Sequence, residues 1–486
     1  CKITHMNSIP EFLKRSVESN PKKIAIVTQD QEYSYEEIDQ MSSSIAKNLS
    51  IYAKNSVVSM MLENSIEFIT TYLGILKSSK IAHIVPPNIS ETNLNEQIIS
   101  AKPKCIISSK QYLMKFDGLE DNLDILDIEK MPLEKEVEEN ELKTNDFAYL
   151  IYTSGTTGKP KGIAITHANV LFSTKNIVNK LKYEETDREI LPLSLSHSFG
   201  LGCLHTGLYV GSTIILHKNS TDIRKILNSI SNSQATTLAA VPATLSKMVE
   251  NFYDKTRLSC KDLRLIITNS TTISENTVKK IMKILNKGKI ATYYGLTEAS
   301  RSTFMIFDEK LGKYNSVGRP ASSIEIKIDP NDDLKKKGEI CIKGPNVIKN
   351  YWENEEMNRN IENGWLRTSD IGHLDEEGYL FLDGRIDDMI NVGGEKVIPN
   401  EIEKVVNELE GIEEAVVVGI PHDTFGQVIK LFAKKTNKSE IHESEIIGYC
   451  IKKLERFKVP VSIQFVDEFP RTEYGKIKRY ELKHLR

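Results

Sequence analysis

Short apolar segments alternate with amphipathic segments along the first part of this chain. Residues 24–27, 57–62 and 104–108 are apolar runs of the length that buried strands have. Between these runs, apolar residues recur at helical spacing, over 9–18, 35–49 and 65–78. This alternation of strands and helices predicts a layered α/β domain.

The alternation resumes after residue 160. Thr166-His-Ala-Asn169 has the composition of a helix start, and further strand-like runs follow at 212–216, 235–241, 263–268 and 291–294. The last two runs lead directly into polar stretches, at 269–272 and 295–301. Because ligands bind beyond the carboxyl ends of strands in open α/β sheets, both stretches are candidate binding segments.

The pattern changes near residue 316. Short strands separated by glycine turns predict a β-rich subdomain, and beyond it two helices and two strands are predicted, at 399–409, 414–419, 429–434 and 444–457. This last group is long enough to be a domain. We therefore predict an α/β protein in which residues 1–384 form a large N-terminal domain of layered α/β subdomains plus the β-rich subdomain. Residues 385–486 form a small α+β C-terminal domain.

Composition and charge narrow the possible functions. The chain has 486 residues, of which 40% are hydrophobic and 27% are charged, as in ordinary globular proteins. Its 64 Lys and Arg residues nearly balance 67 Asp and Glu residues, so the formal net charge is −3. This balance argues against nucleic acid or an anionic membrane as partner, and phosphate binding must depend on local basic residues.

Cysteine usage and hydropathy indicate the compartment. The six cysteines are scattered singly without a C-x-x-C pair, which favours reduced thiols over a disulfide framework or a zinc site. Apolar runs stay well below the roughly 18 residues that a membrane-spanning helix needs, so we expect no membrane span. These features predict a cytoplasmic protein.

One segment is suited to binding polyanionic oxygen. In Leu150-Ile-Tyr-Thr-Ser-Gly-Thr-Thr-Gly-Lys-Pro-Lys-Gly162, a strand-like start leads into ten positions with four hydroxyls, three glycines and two lysines. Glycines let backbone N–H groups turn inward, hydroxyls donate hydrogen bonds, and Lys159 and Lys161 supply charge. It is not a Walker loop, because Pro160 follows the lysine where a magnesium-binding Ser or Thr would stand. A plain Ser/Thr/Gly loop is the competing interpretation.

Five motifs follow one another along the chain, at residues 152–162, Tyr294-Gly-Leu-Thr-Glu298, Trp365-Leu-Arg-Thr-Ser-Asp-Ile-Gly372, Gly384-Arg-Ile-Asp387 and Pro470-Arg-Thr-Glu-Tyr-Gly-Lys476. Together they resemble the adenylate-forming superfamily of AMP-forming acyl-CoA synthetases, adenylation domains and luciferases. The resemblance implies that a carboxylate attacks the α-phosphorus of ATP to give an acyl adenylate and pyrophosphate. A thiol then displaces AMP.

The resemblance implies roles in binding magnesium and the phosphates of ATP. The loop would hold the β and γ phosphates through Thr153, Ser154, Gly155, Thr156, Thr157, Gly158 and Lys161. Thr297 would contact the α phosphate. Glu298 would bind Mg²⁺, a hard cation suited to carboxylate oxygen. Taken alone, Glu298 would be an ordinary loop carboxylate.

The resemblance also implies where the nucleoside lies. Tyr294 would stack on adenine beside Gly295, and Asp370 would accept hydrogen bonds from both ribose hydroxyls with Arg385 nearby. A carboxylate that accepts from two vicinal hydroxyls is a sensible ribose-binding group. Without the other motifs, Asp370 would be equally well explained as a turn residue.

The C-terminal motifs imply a mobile catalytic domain. By resemblance, Lys476 would be the catalytic lysine that bridges the attacking carboxylate and the leaving phosphate. The small domain would rotate about Asp387 between the two half-reactions, and Gly394 would then approach the pantetheine thiol. A solvated basic tail and a plain β-turn between domains are the respective alternatives.

Candidate residues for binding the acid lie in three segments. They are His197, Ser198, Asn269, Ser270 and Arg301. The resemblance places His197 near the reacting carboxylate, and Ser198 stands where amino-acid-activating relatives carry Asp, which argues against an ordinary α-amino acid. A buried guanidinium at Arg301 would be costly unless an anion met it. We therefore expect a small or medium polar acid with a second anionic or hydroxyl group. A core histidine and a structural salt bridge are the competing interpretations.

The predicted function is ATP- and Mg²⁺-dependent activation of a small-molecule carboxylic acid as its adenylate, followed by transfer to a thiol. Coenzyme A is the expected acceptor. A phosphopantetheinyl carrier protein acting in trans is the alternative, because no carrier domain is fused to this sequence. A non-catalytic adenylate-binding protein is a third possibility that an intact set of motifs argues against.

Overall fold

The computed structural model describes residues 6–119, 123–132, 142–154, 160–330, 337–436, 439–471 and 477–483. The chain divides into two compact units. Unit 1 consists of Cys1–Glu325 with Ile342–Leu366, and unit 2 consists of Ile326–Cys341 with Arg367–Arg486. Within the described ranges, each helix is too short or too polar to cross a lipid bilayer.

The helices of the described residues are short to medium in length. They are α1 (Pro10–Ser19), α2 (Tyr35–Asn48), α3 (Ile66–Lys77), α4 (Glu91–Ala101), α5 (His167–Leu181), α6 (Ser198–Val210), α7 (Ile223–Asn232), α8 (Pro242–Asn251), α9 (Tyr253–Cys260), α10 (Glu275–Ile284), α11 (Glu355–Asn358), α12 (Pro399–Val406), α13 (Glu443–Lys453) and α14 (Arg479–Lys483).

The strands of the first half of the chain are β1 (Ile24–Val27), β2 (Glu32–Ser34), β3 (Val57–Met61), β4 (Ile81–Ile84), β5 (Cys105–Ser108), β6 (Asp124–Asp127), β7 (Phe147–Ser154), β8 (Pro160–Thr166), β9 (Arg188–Leu191), β10 (Thr213–Leu216) and β11 (Thr237–Ala239).

The strands of the second half are β12 (Leu265–Thr268), β13 (Lys289–Leu296), β14 (Ala299–Ile306), β15 (Ser316–Pro320), β16 (Glu325–Pro330), β17 (Gly338–Lys343), β18 (Ile361–Glu362), β19 (Trp365–Leu374), β20 (Leu380–Arg385), β21 (Ile390–Val392), β22 (Glu395–Val397), β23 (Ile412–His422), β24 (Gly426–Lys435) and β25 (Ser462–Phe465).

Unit 1 contains two sheets. The first has the strand order β15-β14-β13-β12-β11-β9-β10-β1-β2, and its interior pairs from β13 to β1 are parallel. The second has the order β6-β5-β3-β4-β7-β8, parallel except for the β7–β8 pair. Every residue of β3, β4 and β5 is buried, which is why these strands read as continuous apolar runs rather than alternating ones.

Local side-chain hydrogen bonds fix where the helices of unit 1 begin. Ser34 and Glu37 form a capping box at α2, in which the Glu37 carboxylate accepts from the Ser34 N–H at 2.8 Å. Thr166 and Asn169 do the same at α5, which confirms the helix start predicted there.

Unit 2 also contains two sheets. Strands β16, β17, β19 and β20 lie side by side in that order. The second sheet has the order β22-β21-β24-β23 with β25 paired to β24. Its core packs α12 and α13 against the strands through buried aliphatic side chains, among them Ile402, Val406, Val417, Leu431 and Ile446.

The predicted fold class is confirmed, and the predicted strands lie close to their expected positions. The run at 235–241 is shorter than expected, because Val241 instead becomes the N-cap of α8 with Pro242 at its first position. The predicted boundary at residue 385 separates the N-terminal domain from the C-terminal domain that is expected to rotate. It stays a prediction.

A buried carboxylate ties together several segments of unit 1. Asp187 is 2% exposed and accepts hydrogen bonds from Arg264 Nε at 2.6 Å, from the Arg264 Nη2 group, and from the Thr236 hydroxyl at 2.8 Å. The Glu184 N–H donates to its second oxygen at 2.8 Å. The network joins the segment before β9 to the starts of β11 and β12, so it sets the alignment of these parallel strands.

We predict that Asp187→Ala lowers the free energy of unfolding by about 3 kcal/mol, because Arg264 loses its carboxylate while staying half-buried. Denaturant unfolding followed by circular dichroism measures the loss. Asp222→Ala is the matched control, since Asp222 caps α7 at the surface and its removal should cost only about 1 kcal/mol. Equal losses in the two variants would contradict the central role of Asp187.

Candidate active site

The β13–β14 hairpin carries five of the predicted site residues of unit 1, namely Tyr294, Gly295, Thr297, Glu298 and Arg301. The two strands are antiparallel, and Leu296 pairs with Ala299, so Thr297 and Glu298 form a two-residue turn. Gly295 is required at the base of this turn. A Cβ there would lie 2.5 Å from the backbone nitrogen of Arg301 and 2.7 Å from the carbonyl oxygen of Ala299. The hairpin therefore fixes Thr297 and Glu298 at the end of a central strand.

Residues distant in sequence hold the turn in place. The Ile348 N–H donates to the Glu298 carbonyl at 2.9 Å, and the Tyr351 hydroxyl donates to the Glu298 carboxylate at 3.3 Å. Burial, together with the neighbouring Glu298 charge, raises the pKa of Tyr351, so its hydroxyl stays a donor at neutral pH. Sequence reasoning missed Ile348 and Tyr351, because no local motif marks them.

The Glu298 carboxylate suits a magnesium ion that is held mainly by nucleotide phosphates. Mg²⁺ usually takes one or two protein carboxylates and completes its shell with water and phosphate oxygens. Glu298 is half-buried and fixed by Tyr351, so it can serve as such a ligand. The described residues contain no cluster of three or more His, Cys, Asp or Glu groups able to hold a metal by themselves.

The two ends of the predicted phosphate loop are held together by strand pairing. Strands β7 and β8 place Thr153 opposite Lys161 and Ser154 opposite Pro160. Gly155, Thr156, Thr157 and Gly158 lie outside the described residues, as does the side chain of Ser154. Lys159 and the predicted catalytic Lys476 also lie outside them.

The candidate residues for the acid lie near the ends of α6 and β12. His197 is the N-cap of α6 and Ser198 is its first residue. Burial lowers the pKa of His197 to about 4, so the ring is neutral at pH 7. Asn269 is half-buried and directly follows β12. Ser270 is exposed and has the left-handed φ of +89°, a conformation that favours glycine.

Arg301 lies in a buried pocket of unit 1. It is 4% exposed, its Nη1 donates to the Ser300 hydroxyl at 2.9 Å, and its guanidinium lies 5.2 Å from the centre of the Tyr293 ring. The pocket is lined by Tyr149, Asn169, His205, Thr297, Ser300 and Arg301, among others. Nε and Nη2 of Arg301 make no hydrogen bond, so no carboxylate of the described residues forms the structural salt bridge that was the competing interpretation.

Two further pocket residues were not predicted. His205 lies within α6, and burial lowers its pKa to about 3, so it is neutral. Asn346 is 2% exposed and donates to the Ser300 carbonyl at 3.1 Å and to the Ser302 hydroxyl at 2.9 Å. A lone histidine in an apolar helix and an asparagine in a loop carry no sequence signal of such placement.

Unit 2 brings together the residues predicted to bind ribose. Asp370 of β19 pairs directly with Arg385 of β20, and Arg385 Nη1 donates to Asp370 Oδ1 at 2.6 Å. Arg385 also contacts Asp387 at 3.4 Å. Burial opposes the charge of Arg385, but these carboxylates outweigh it and raise the pKa of the guanidinium. Asp370 is 8% exposed, so the pair is a rigid acceptor group.

The glycine pair of the predicted thioester-forming loop forms the turn between β21 and β22. Gly393 and Gly394 have φ of +61° and +98°, and the Gly394 N–H donates to the Asn391 side chain at 2.9 Å. A Cβ at Gly394 would meet nothing within 4 Å. Backbone conformation rather than crowding therefore explains the glycine at this position.

Within unit 2, ion pairs join segments on both sides of the predicted hinge at Asp387. Lys337 lies 3.2 Å from Asp383 and 2.8 Å from Glu401, and Lys458 lies 2.9 Å from Glu401. Lys337 and Asp383 precede the hinge, whereas Glu401 and Lys458 follow it. A small apolar cluster of Ile371, Met389 and Ile398 spans the same junction. Rotation about the hinge would have to break these contacts.

Two family models match the chain. The model of the AMP-binding enzyme family matches residues 13–352, and the model of the AMP-binding enzyme C-terminal domain matches residues 401–476. The chain is 28% identical over 486 residues to the 2-succinylbenzoate–CoA ligase of Bacillus subtilis strain 168, with 98% of each chain covered.

Solved structures of o-succinylbenzoate CoA synthetase from Bacillus subtilis are similar over the whole chain. The complex with the acyl-adenylate intermediate OSB-AMP has a TM-score of 0.87 and 27% identity, covering 100% of this chain and 99% of that one. The complex with ATP and magnesium has a TM-score of 0.86 and 27% identity, covering 97% and 99%.

These matches confirm the predicted resemblance and the predicted class of reaction. The chain belongs to the AMP-binding enzyme family and is an ATP-dependent ligase that activates a carboxylic acid and transfers it to a thiol.

Proposed function

We propose that this enzyme joins 2-succinylbenzoate, or a closely related dicarboxylic acid, to coenzyme A, releasing AMP and pyrophosphate. The pocket that contains both Thr297 and Arg301 carries this proposal, because it offers a cationic group and hydrogen-bonding groups to an acid with two anionic ends. The 2-succinylbenzoate–CoA ligases that resemble this chain align with almost its whole length, and this similarity supports the same substrate. They are coenzyme A ligases, which favours coenzyme A over a carrier protein.

The proposed first half-reaction uses residues of the hairpin and the phosphate loop. Thr297 donates to the α phosphate, and residues 153–161 hold the outer phosphates. Mg²⁺ at Glu298 would neutralise phosphate charge and so reduce the repulsion between two anionic reactants. His197 is uncharged at pH 7, so it can orient the reacting carboxylate by a hydrogen bond without forming an ion pair that weakens its nucleophilicity.

The proposed second set of residues comes from unit 2 and the C-terminal segment. Asp370, held by Arg385, accepts from the ribose hydroxyls, and Lys476 bridges the carboxylate and the α phosphate during adenylate formation. After rotation about Asp387, Gly394 lets the backbone approach the thiol of coenzyme A. A cytoplasmic location agrees with the buried, unpaired cysteines among the described residues.

We predict that the purified enzyme catalyses pyrophosphate–ATP exchange with 2-succinylbenzoate at a kcat/KM about 100-fold above that with acetate or benzoate. A radiolabelled pyrophosphate exchange assay across a panel of carboxylic acids tests this. Exchange with other acids but none with 2-succinylbenzoate would refute the substrate and leave the class of reaction intact.

We predict that Lys476→Ala slows adenylate formation by about 100-fold or more, because a preorganised cation is lost where charge develops. Thioester formation from preformed acyl adenylate should change by less than about 5-fold, since Lys476 takes part only in the first step. Single-turnover kinetics separates the steps, and Lys483→Ala, near the other end of the same tail, is the matched control. Adenylate formation at the wild-type rate in Lys476→Ala would contradict the role of this lysine.

We predict that Glu401→Gln changes the ratio of the two half-reaction rates by about 3- to 10-fold, because Lys337 and Lys458 lose an anion that holds one domain orientation. Glu413→Gln is the control, since Glu413 pairs with Lys434 and both follow the hinge. Separate assays of adenylate and thioester formation give the ratio. The same ratio in wild type, Glu401→Gln and Glu413→Gln would show that these ion pairs do not restrain rotation.

A further inference from the structure

Arg301 presents one edge of its guanidinium without a protein partner. Its Nη1 group donates to Ser300, but Nε and Nη2 are buried and make no hydrogen bond. These two nitrogens lie on the same edge of the group, which is the edge that binds a carboxylate with two parallel hydrogen bonds. Leaving a charged donor pair buried and unmet is costly.

The same protein shows what normally fills such an edge. Arg264 donates from Nε and Nη2 to the two oxygens of Asp187, a bidentate pair within the fold. Arg301 has the same two donors at a more buried position, 4% exposed, yet no carboxylate of the described residues reaches them. The edge of Arg301 therefore has the donor geometry that binds a carboxylate.

The fold makes specific room for this guanidinium. Arg301 has a left-handed φ of +57°, which is uncommon for a residue with a Cβ. A Cβ at Gly202 of α6 would lie 1.8 Å from Arg301 Nη2, so the guanidinium packs directly against this glycine and would have to shift if a larger residue stood there. The left-handed backbone of Arg301 and the glycine within α6 each cost conformational free energy, and both are found around a buried charge.

Neighbouring titratable groups do not supply a compensating anion. Burial lowers the pKa of His205 to about 3, so the ring is neutral. Burial raises the pKa of Glu189 to about 8 against the opposing charges of Arg264 and Arg301, and its carboxyl accepts from the Tyr183 hydroxyl at 2.9 Å and makes no hydrogen bond to Arg301. The Tyr293 ring offers only its π face to Arg301.

We propose that the Nε–Nη2 edge of Arg301 binds the second carboxylate of the acid, the one that is not activated. The proposal rests on the function proposed above, because Thr297, at the reacting end, lines the same pocket as Arg301. A dicarboxylate with one end at Thr297 pairs its other end with the guanidinium. Monocarboxylates of the same size leave Arg301 unmet and are rejected.

The test compares 2-succinylbenzoate with its analogue in which the ring carboxylate is replaced by hydrogen. Pyrophosphate exchange gives kcat/KM for both acids in wild type, Arg301→Gln, Arg301→Lys and Gly202→Ala. Arg257→Gln is the matched control, because Arg257 is an exposed surface arginine. We expect wild type and the control to prefer the dicarboxylate by about 100-fold, and Arg301→Gln to lower this preference to below about 5-fold, mainly by losing the dicarboxylate.

The other two variants keep the test decisive if Arg301→Gln does not fold. Gly202→Ala leaves the arginine in the sequence but displaces its Nη2 group, so it should also lose the preference. Arg301→Lys keeps the positive charge but lacks the two parallel donors. It should therefore retain only part of the preference for the dicarboxylate.

Thermal unfolding separates binding from a structural role. The ligand-free Arg301→Gln variant should melt at or above the wild-type temperature, since a buried unpaired charge is removed, and 2-succinylbenzoate should raise the melting temperature of wild type only. A clearly lower melting temperature without ligand, with the dicarboxylate preference unchanged, would overturn the proposal.

The failure of this proposal can be told apart from the failure of the proposed function. Wild-type enzyme that activates other dicarboxylates but not 2-succinylbenzoate refutes that substrate and still supports the carboxylate site. Wild-type enzyme that activates only monocarboxylates, or that accepts both test acids equally well, overturns the site.

Discussion

The two-residue turn between β13 and β14 is the constraint on which unit 1's part of the site depends. A hairpin this tight leaves Thr297 and Glu298 a single arrangement, and Gly295 is needed to let the strands approach. The bonds from Ile348 and Tyr351 then fix the turn from outside. Because Arg301 follows Glu298 by three residues on β14, the same hairpin places Thr297 and Arg301 in one pocket.

Electrostatics explains the choice of charged and neutral groups around this hairpin. ATP and the proposed dicarboxylic acid are both anionic, and the protein itself has a formal charge of −3. Local cations must therefore offset the repulsion between the anionic acid and the anionic nucleotide. Burial lowers the pKa of His197 and of His205, so both rings are neutral. The left-handed backbone and unpartnered donors of Arg301 are features that stability alone would not retain, and they support the carboxylate site proposed above.

Much of this arrangement could be predicted from the sequence. Buried parallel strands are continuous apolar runs, and the motifs occupy short stretches, so the strand that leads into Thr297 and the proximity of Asp370 and Arg385 were expected, whereas the antiparallel strand β14 was not. Contacts between distant segments could not be predicted, because no local pattern encodes them. Tyr351 reaching Glu298 is one example. Arg301 shows the limit most clearly, since its sequence position fitted a structural salt bridge equally well.

The central claim is that the carboxylate itself attacks the α-phosphorus of ATP before the thiol reacts. Following ¹⁸O from the labelled carboxylate of the acid into the products by mass spectrometry tests it most directly. Adenylate formation and displacement by coenzyme A must leave one ¹⁸O atom in AMP and none in pyrophosphate. Label in a phosphate product other than AMP, or AMP without label, would contradict this account.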